Sequence, residues 1–357
     1  MAHLFTKFFP TPRFLKMPAV GLDISDQSIH FVELVPQGEA YVLGRFGEKK
    51  IPAGAMESGK IKDFDGLKKA LAGLAGEFGL SFVNVSLPEE QAYMAKMSLP
   101  PVRKRELRES ISLQLEEYIP LKVEESVFDY EVLAESEKGY ELQVSALPRS
   151  IAENYLRLFS GTGLTPLVFE IEAQAIARAV VPNSDKRTRM LIDFGGTRTG
   201  LAVVSDNVVV FTSTLDIGGR TLDTAIEKTF NVEQKEAERL KKEFGLLKNS
   251  EKKDLSLTLM HPVSVLKDEV NRLFVYWHTH REPGVSDKKK IENIILCGGD
   301  SNLLGFTDYM SANLKVPVST ANVWINVNSF NDYIPELPFE DSLRYATAIG
   351  LSLGSIQ

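Results

Sequence analysis

Two acids, each closing an apolar run and each followed by a turn of small polar residues, are the side chains best placed to do chemistry here. Leu191-Ile192 leads into Asp193, then Phe194-Gly195-Gly196-Thr197-Arg198-Thr199-Gly200, before the apolar run Leu201–Val204 returns. Glycine lets a backbone approach a ligand closely, and turn amides and hydroxyls can point inward. The stretch therefore reads either as a β-hairpin whose tip (Gly195, Gly196, Thr197, Thr199) holds a phosphate, or as a plain hairpin turn. Asp193 is placed to orient a magnesium-bound water. The plan is repeated at Val20-Gly21-Leu22-Asp23-Ile24-Ser25-Asp26-Gln27-Ser28, with Asp23 as the acid and Ser25 and Ser28 as the small polar residues. Any metal would thus be held by Asp23 and Asp193 through water.

Three further groups could complete such a site. The apolar run Ile291–Cys297 ends in Gly298-Gly299-Asp300, where glycines allow a flat group to lie against the backbone. Gly218-Gly219 opens a helix, and a helix N-terminus carries free amides suited to an anion. Glu172 starts another helix, either as a general base positioning water or as a charge favourable to the helix dipole.

The elements that must position these residues follow from periodicity. Strands are expected over 19–48, 82–87, 93–99, 127–133, 140–147, 208–215 and 291–297. Apolar residues spaced three and four apart predict helices at Phe64–Phe78, ended by Gly79, and at Leu107–Tyr118, ended by Pro120. Further helices are expected over 151–159, 171–180, 235–244, 263–277 and, rich in small residues, 346–351. Residues 248–262 read as a polar loop and 281–290 as a charged one. Strand–helix–strand–strand over 89–150 is a compact inserted α+β subdomain. Arg103-Lys104-Arg105 at its helix start reads as a solvated face or a contact for an acidic partner.

Composition narrows the function. A net charge of −7 over 357 residues argues against nucleic-acid binding. The single cysteine, Cys297, excludes an intrachain disulfide and a cysteine metal site, and reads as a buried thiol. No apolar run approaches the ~20 residues of a membrane helix. Residues 1–17 mix Phe and Leu with Lys, Arg and Pro. A signal peptide would need a longer unbroken apolar core and a small-residue cleavage site, so the stretch reads as an arm packing on the body or as a short membrane or partner contact.

Two well-separated Asp-headed hairpins followed by strand–Gly-Gly–helix resemble the phosphate and adenosine loops of the actin/Hsp70/sugar-kinase class. Glu116-Glu117-Tyr118-Ile119-Pro120-Leu121 with Asp129-Tyr130 resembles the PilM family of type IV pilus assembly, which is related to the cell-division protein FtsA. Val83–Pro88, Ser145–Arg149 with Gly163–Leu167, and Phe169–Ala179 are similar to further PilM-family segments, so the resemblance runs from about Pro18 through nearly the whole chain. It implies an α/β, actin/Hsp70-like (ribonuclease H-like) two-lobed fold. The expected parts are an arm at 1–17 and a first lobe of 18–88 and 151–189 with the C-terminal helix 341–357. The inserted subdomain is 89–150, and the second lobe is 190–340 with a helical part at about 220–285.

It also implies ATP and Mg2+ in the central cleft, with Gly218 and Gly219 starting the small subdomain over the nucleotide and Glu172 facing its terminal phosphate. Ala237-Glu238-Arg239-Leu240-Lys241 is similar to a family segment whose Glu and Lys face adenosine; read alone, Glu238 and Lys241 are an exposed i,i+3 pair. The implied role is a cytoplasmic ATP-binding scaffold with at most weak ATPase activity, peripheral to the inner membrane. Residues 89–150 would grip the cytoplasmic tail of a PilN-like protein, beside other pilus components and possible self-association. An FtsA-like filament protein is the alternative, disfavoured by the absence of an amphipathic tail after Gly350. A sugar-kinase role finds no substrate-deprotonating acid. His30 and Asp26 depart from the family pattern, and an acid in a phosphate turn weakens nucleotide binding unless it points away or a metal intervenes.

Overall fold

The computed structural model describes residues 19–247, 253–279 and 289–355. The N-terminal arm lies outside the described residues, as do 280–288 of the charged loop. In chain order the first part runs β1 (Val20–Ile24), β2 (Ser28–Gln37), β3 (Ala40–Lys50), α1 (Phe64–Phe78) and β4 (Phe82–Leu87). Then come β5 (Tyr93–Leu99), α2 (Leu107–Tyr118), β6 (Ser126–Ser136) and β7 (Gly139–Pro148), followed by α3 (Arg149–Leu158), β8 (Thr165–Ile171) and α4 (Glu172–Val180). The second part holds β9 (Arg189–Phe194), β10 (Thr199–Ser205), β11 (Val208–Leu215), α5 (Gly219–Phe230), α6 (Gln234–Phe244) and α7 (Lys253–Thr279). It ends with β12 (Asn293–Cys297), α8 (Phe306–Leu314), β13 (Val318–Thr320) and α9 (Ala346–Gly354).

The first sheet has the order β8-β4-β1-β2-β3 and the second β11-β10-β9-β12-β13. In each, an antiparallel meander of three strands is extended by two parallel ones, so the repeated Asp-turn plan is a repeated topology. The inserted segment forms its own sheet, β5-β7-β6, closed by the apolar face of α2 with Leu107, Ile111 and Leu115 buried. The α1 boundaries follow from local chemistry. The Asp63 carboxylate accepts the Gly66 amide at 2.9 Å, and Gly79 at φ 63° ends the helix in the left-handed region.

One expectation fails on an element. Residues 253–262 are helical, part of α7, where a loop was expected. Pro262 lies inside this helix, but Leu255, Leu259, Val263, Leu266 and Val270 are all buried in the second sheet's core. That continuous apolar stripe outweighs the one amide that proline cannot donate.

Helix α9 shows why its residues are small. A Cβ on Gly21 of β1 would lie 1.9 Å from the Ala348 carbonyl oxygen, and one on Gly350 would lie 1.8 Å from that of Ala175 in α4. Helix α9 is thus pressed between β1 and α4. One apolar core there joins residues of both large sheets, including Val32, Ile176, Leu191, Ile295 and Ile349.

Candidate functional site

The β1–β2 and β9–β10 turns meet and together line one wall of a cleft of about 970 Å³. Register places Asp23 opposite His30, and Asp193 between Gly200 and Cys297, so both acids end a buried strand at the cleft wall. Ser25, Ser28, Gly195, Gly196 and Thr197 line the same wall, with Gly298, Gly299 and Asp300 at the end of β12 and Glu238 and Lys241 on α6. Gly298 has φ 89°, and a Cβ there would sit 2.5 Å from Asp193 Oδ1. Only glycine brings this turn against the acid.

Four expected site residues stand elsewhere. The Thr199 hydroxyl donates to the Ile217 carbonyl at 2.6 Å and does not line the cleft. Gly218 and Gly219 lie behind the wall. The amides of Gly219 and Arg220 donate to the Gly195 and Gly196 carbonyls at 3.0 and 2.7 Å, so the start of α5 supports the β9–β10 turn instead of offering free amides. Glu172 is also off the cleft wall. Its carboxylate accepts Arg198 Nη2 at 3.1 and 3.3 Å, and Arg198, which does line the cleft, covers it.

Arg198 is the cleft residue that sequence reasoning passed over. Its guanidinium lies 3.4 Å from Asp26, 2.9 Å from Glu90 and 3.1 Å from Glu172. Burial opposes its charge, but Glu172, Glu90 and Asp26 outweigh that and hold it firmly protonated. The acids around it are less settled. Burial first, then Glu172, pushes Asp23 up to about 7, against a hydrogen bond at 2.7 Å from the Ser86 hydroxyl. Asp193 is raised to about 7 by burial and Glu172, with Arg198 opposing. Glu90 reaches about 7, and buried Glu89 is held well above its usual range, both through burial and Glu172. The signal for Glu89 and Glu90 was the pair of acids directly after Leu87-Pro88.

Asp23 and Asp193, whose charge is disfavoured by burial and by Glu172, have the donor chemistry that a cation would satisfy. Among the described residues no group of three or more His, Cys, Asp or Glu converges as metal ligands. Two such acids on one wall are compatible with an ion that keeps most of its own water, as Mg2+ does.

Also on the cleft wall, Lys241 is buried and pairs with Asp300 at 2.6 Å and Asp223 at 2.9 Å. Burial works against its charge, yet the two acids hold its pKa above the usual lysine value. Glu238 pairs one turn on with Lys242 at 2.6 Å. The exposed i,i+3 pair between Glu238 and Lys241 is thus excluded. Asp300 lies against Gly219, where a Cβ would come within 2.1 Å of its carboxylate.

Comparison with known proteins agrees with this architecture. A PilM–PilN type IV pilus biogenesis complex is 22% identical, covers 96% of this chain and 99% of that chain, and superposes with a TM-score of 0.80. An MreB5 of Spiroplasma citri bound to ADP is 13% identical, covers 94% and 95% of the two chains, and has a TM-score of 0.57. These likenesses show a two-lobed actin-like fold. The cell shape-determining protein MreB of Pasteurella multocida is 41% identical over 85 residues, 22% of this chain and 24% of that protein, so the match spans about a quarter of that relative's length. The model of the family described as "Type IV pilus assembly protein PilM" matches residues 21–356. From its first cleft-lining acid to its last helix, this chain belongs to the PilM family of type IV pilus assembly proteins.

Proposed function

We propose that the chain is a nucleotide-binding scaffold of type IV pilus assembly, taking ATP with Mg2+ in the cleft and holding the cytoplasmic tail of a PilN-like membrane protein. The observation that carries the nucleotide half is the meeting of the two Asp-headed turns on the wall of one cleft, with Gly298 packed against Asp193. Bound there, Mg2+ would supply positive charge for the phosphate oxygens and for the excess of buried acid. Asp23 and Asp193 orient its waters; the Gly195 and Gly196 backbone and the Ser25 and Ser28 hydroxyls accommodate phosphate; Gly298 and Gly299 leave room for the nucleoside. Glu238 lines the nucleoside end, where Lys241, between Asp223 and Asp300, fixes the position of Asp300. The MreB5 structure solved with ADP supports nucleotide in a cleft of this fold.

Turnover is slow on this reading, because Glu172 is committed to Arg198 and separated from the cleft by it. The partner half rests on family membership and on the independent sheet β5-β7-β6, an added unit with its own core on which an extended peptide can lie. Among the described residues no helix is long and apolar enough to cross a membrane, and on this reading the partner's tail attaches the chain to the cytoplasmic side of the inner membrane. Calorimetric titration with Mg-ATP, with and without a peptide copying the PilN-like tail, tests both halves. Saturable binding of each with little phosphate release is expected; absence of nucleotide binding sinks the scaffold reading. The MreB likeness favours one second reading, a filament, which predicts that Mg-ATP drives the protein into the pellet on sedimentation.

A further inference from the structure

Asp26, at the tip of the β1–β2 turn, gathers four donors from two distant segments around one carboxylate. Its Oδ2 accepts the Thr197 hydroxyl at 3.3 Å and the Ser58 amide at 3.3 Å. Its Oδ1 accepts the Gly59 amide at 3.3 Å, and Arg198 Nη1 lies 3.4 Å from Oδ2. The side chain is 12% exposed and forms part of the cleft wall. Two backbone amides, a hydroxyl and a guanidinium converging on one anion are the donors that phosphate oxygens use. Thr197, which the turn pattern assigns to phosphate, is spent on Asp26. Three of the four donors have anchors besides Asp26. Tyr155 donates its hydroxyl to the Gly59 carbonyl at 3.2 Å, and Gln91 donates to that of Ser58 at 3.1 Å. Arg198 is held by Glu90 and Glu172.

We propose that Asp26 is a built-in competitor for the terminal phosphate of the nucleotide, occupying an anion subsite formed by the Ser58 and Gly59 amides, the Thr197 hydroxyl and Arg198. This deepens the nucleotide reading and rests on it. Two anions cannot share one donor set without repulsion, so the native protein gains little from a third phosphate and discriminates weakly between nucleoside di- and triphosphate. Asp26 is in this sense a specificity-determining residue.

The test is calorimetry of the whole chain with Mg-ADP and Mg-ATP, for the native protein, Asp26→Ser and Asp26→Asn, with thermal unfolding as the fold control. The native affinities should lie within about threefold of each other, while Asp26→Ser should prefer ATP by about tenfold or more, that factor corresponding to about 1.4 kcal/mol. Asp26→Asn should fall between them; it keeps the side-chain shape and carries the test if the serine variant does not fold. Adding Thr197→Val to Asp26→Ser should return the ratio toward the native value. Nucleotide binding with the ADP/ATP ratio unmoved by either Asp26 variant overturns the proposal, as does a strong native preference for ATP. Failure of both nucleotides to bind native protein and variants alike overturns the nucleotide reading itself, and this proposal with it.

Discussion

Burial, more than any neighbour, sets the chemistry of the acids in the cleft. Asp23 and Asp193 are both lifted to about 7, and desolvation is the largest cause in each. Asp193→Ala is therefore expected to remove Mg-ATP binding while leaving the fold intact, since it deletes an acid that the folded state holds at a disadvantage. Calorimetry beside a melting curve checks it, and unchanged binding counts against the site. His30 shows the opposite effect. Burial and Arg344 lower it to about 4, and both ring nitrogens lack a hydrogen-bond partner. A pKa lower in the folded than in the unfolded state contributes stability above about 6.5, lost as pH falls through about 4. His30→Phe should remove that loss, so its melting temperature should fall less than the native one between those pH values. The Asp and Gly turns were legible in the sequence because their chemistry lies within a few residues. The role of Arg198 was not, and Asp26 was legible only as an acid in a phosphate turn, because its partner Arg198 stands 172 residues away. An ion pair across that separation leaves no local pattern.

Among elements, those with a clean period and a local stop were legible, as α1 and α2 show with Gly79 and Pro120 at their ends. The first turns of α7 were not. Pro262 and the polar residues before it mask a stripe in which Leu255 and Leu259 are the opening members. Leu259 is fully buried, so Leu259→Ala should lower stability by about 3 kcal/mol in urea titration. A loss within a few tenths of a kcal/mol would mean that this part of α7 does not pack on the sheet. The start of α5 carries a similar lesson. Gly-Gly before a helix signals free amides, yet neighbouring carbonyls claim them here, and only tertiary contact decides which. Gly350→Ala tests the closest approach of all: a methyl 1.8 Å from the Ala175 oxygen must push α9 off α4, lowering stability by about 1–3 kcal/mol or more.

At the scale of the molecule, the repeated sheet order was foreshadowed by the repeated Asp turn, while the division of labour proposed between cleft and inserted sheet rests on family likeness. That division makes a prediction. Arg105 and Leu113 on the inserted unit are 73% and 81% exposed, far from any role in its core. Substitutions at Arg105 or on the exposed face of Leu107–Tyr118 should weaken peptide binding without changing Mg-ATP affinity; loss of both together would contradict separate sites. The two large sheets are less separable than their symmetry implies. Helix α9, last in the chain, fills the face of β1, first in the described chain, and the core it completes also draws on strands of the second sheet. A chain cut between α4 and β9 would thus leave an amino-terminal fragment without the helix that covers its opening strand, and a carboxy-terminal fragment with that helix bare. Produced apart, the fragments should aggregate; produced together, they should reassociate into one particle that melts in a single transition.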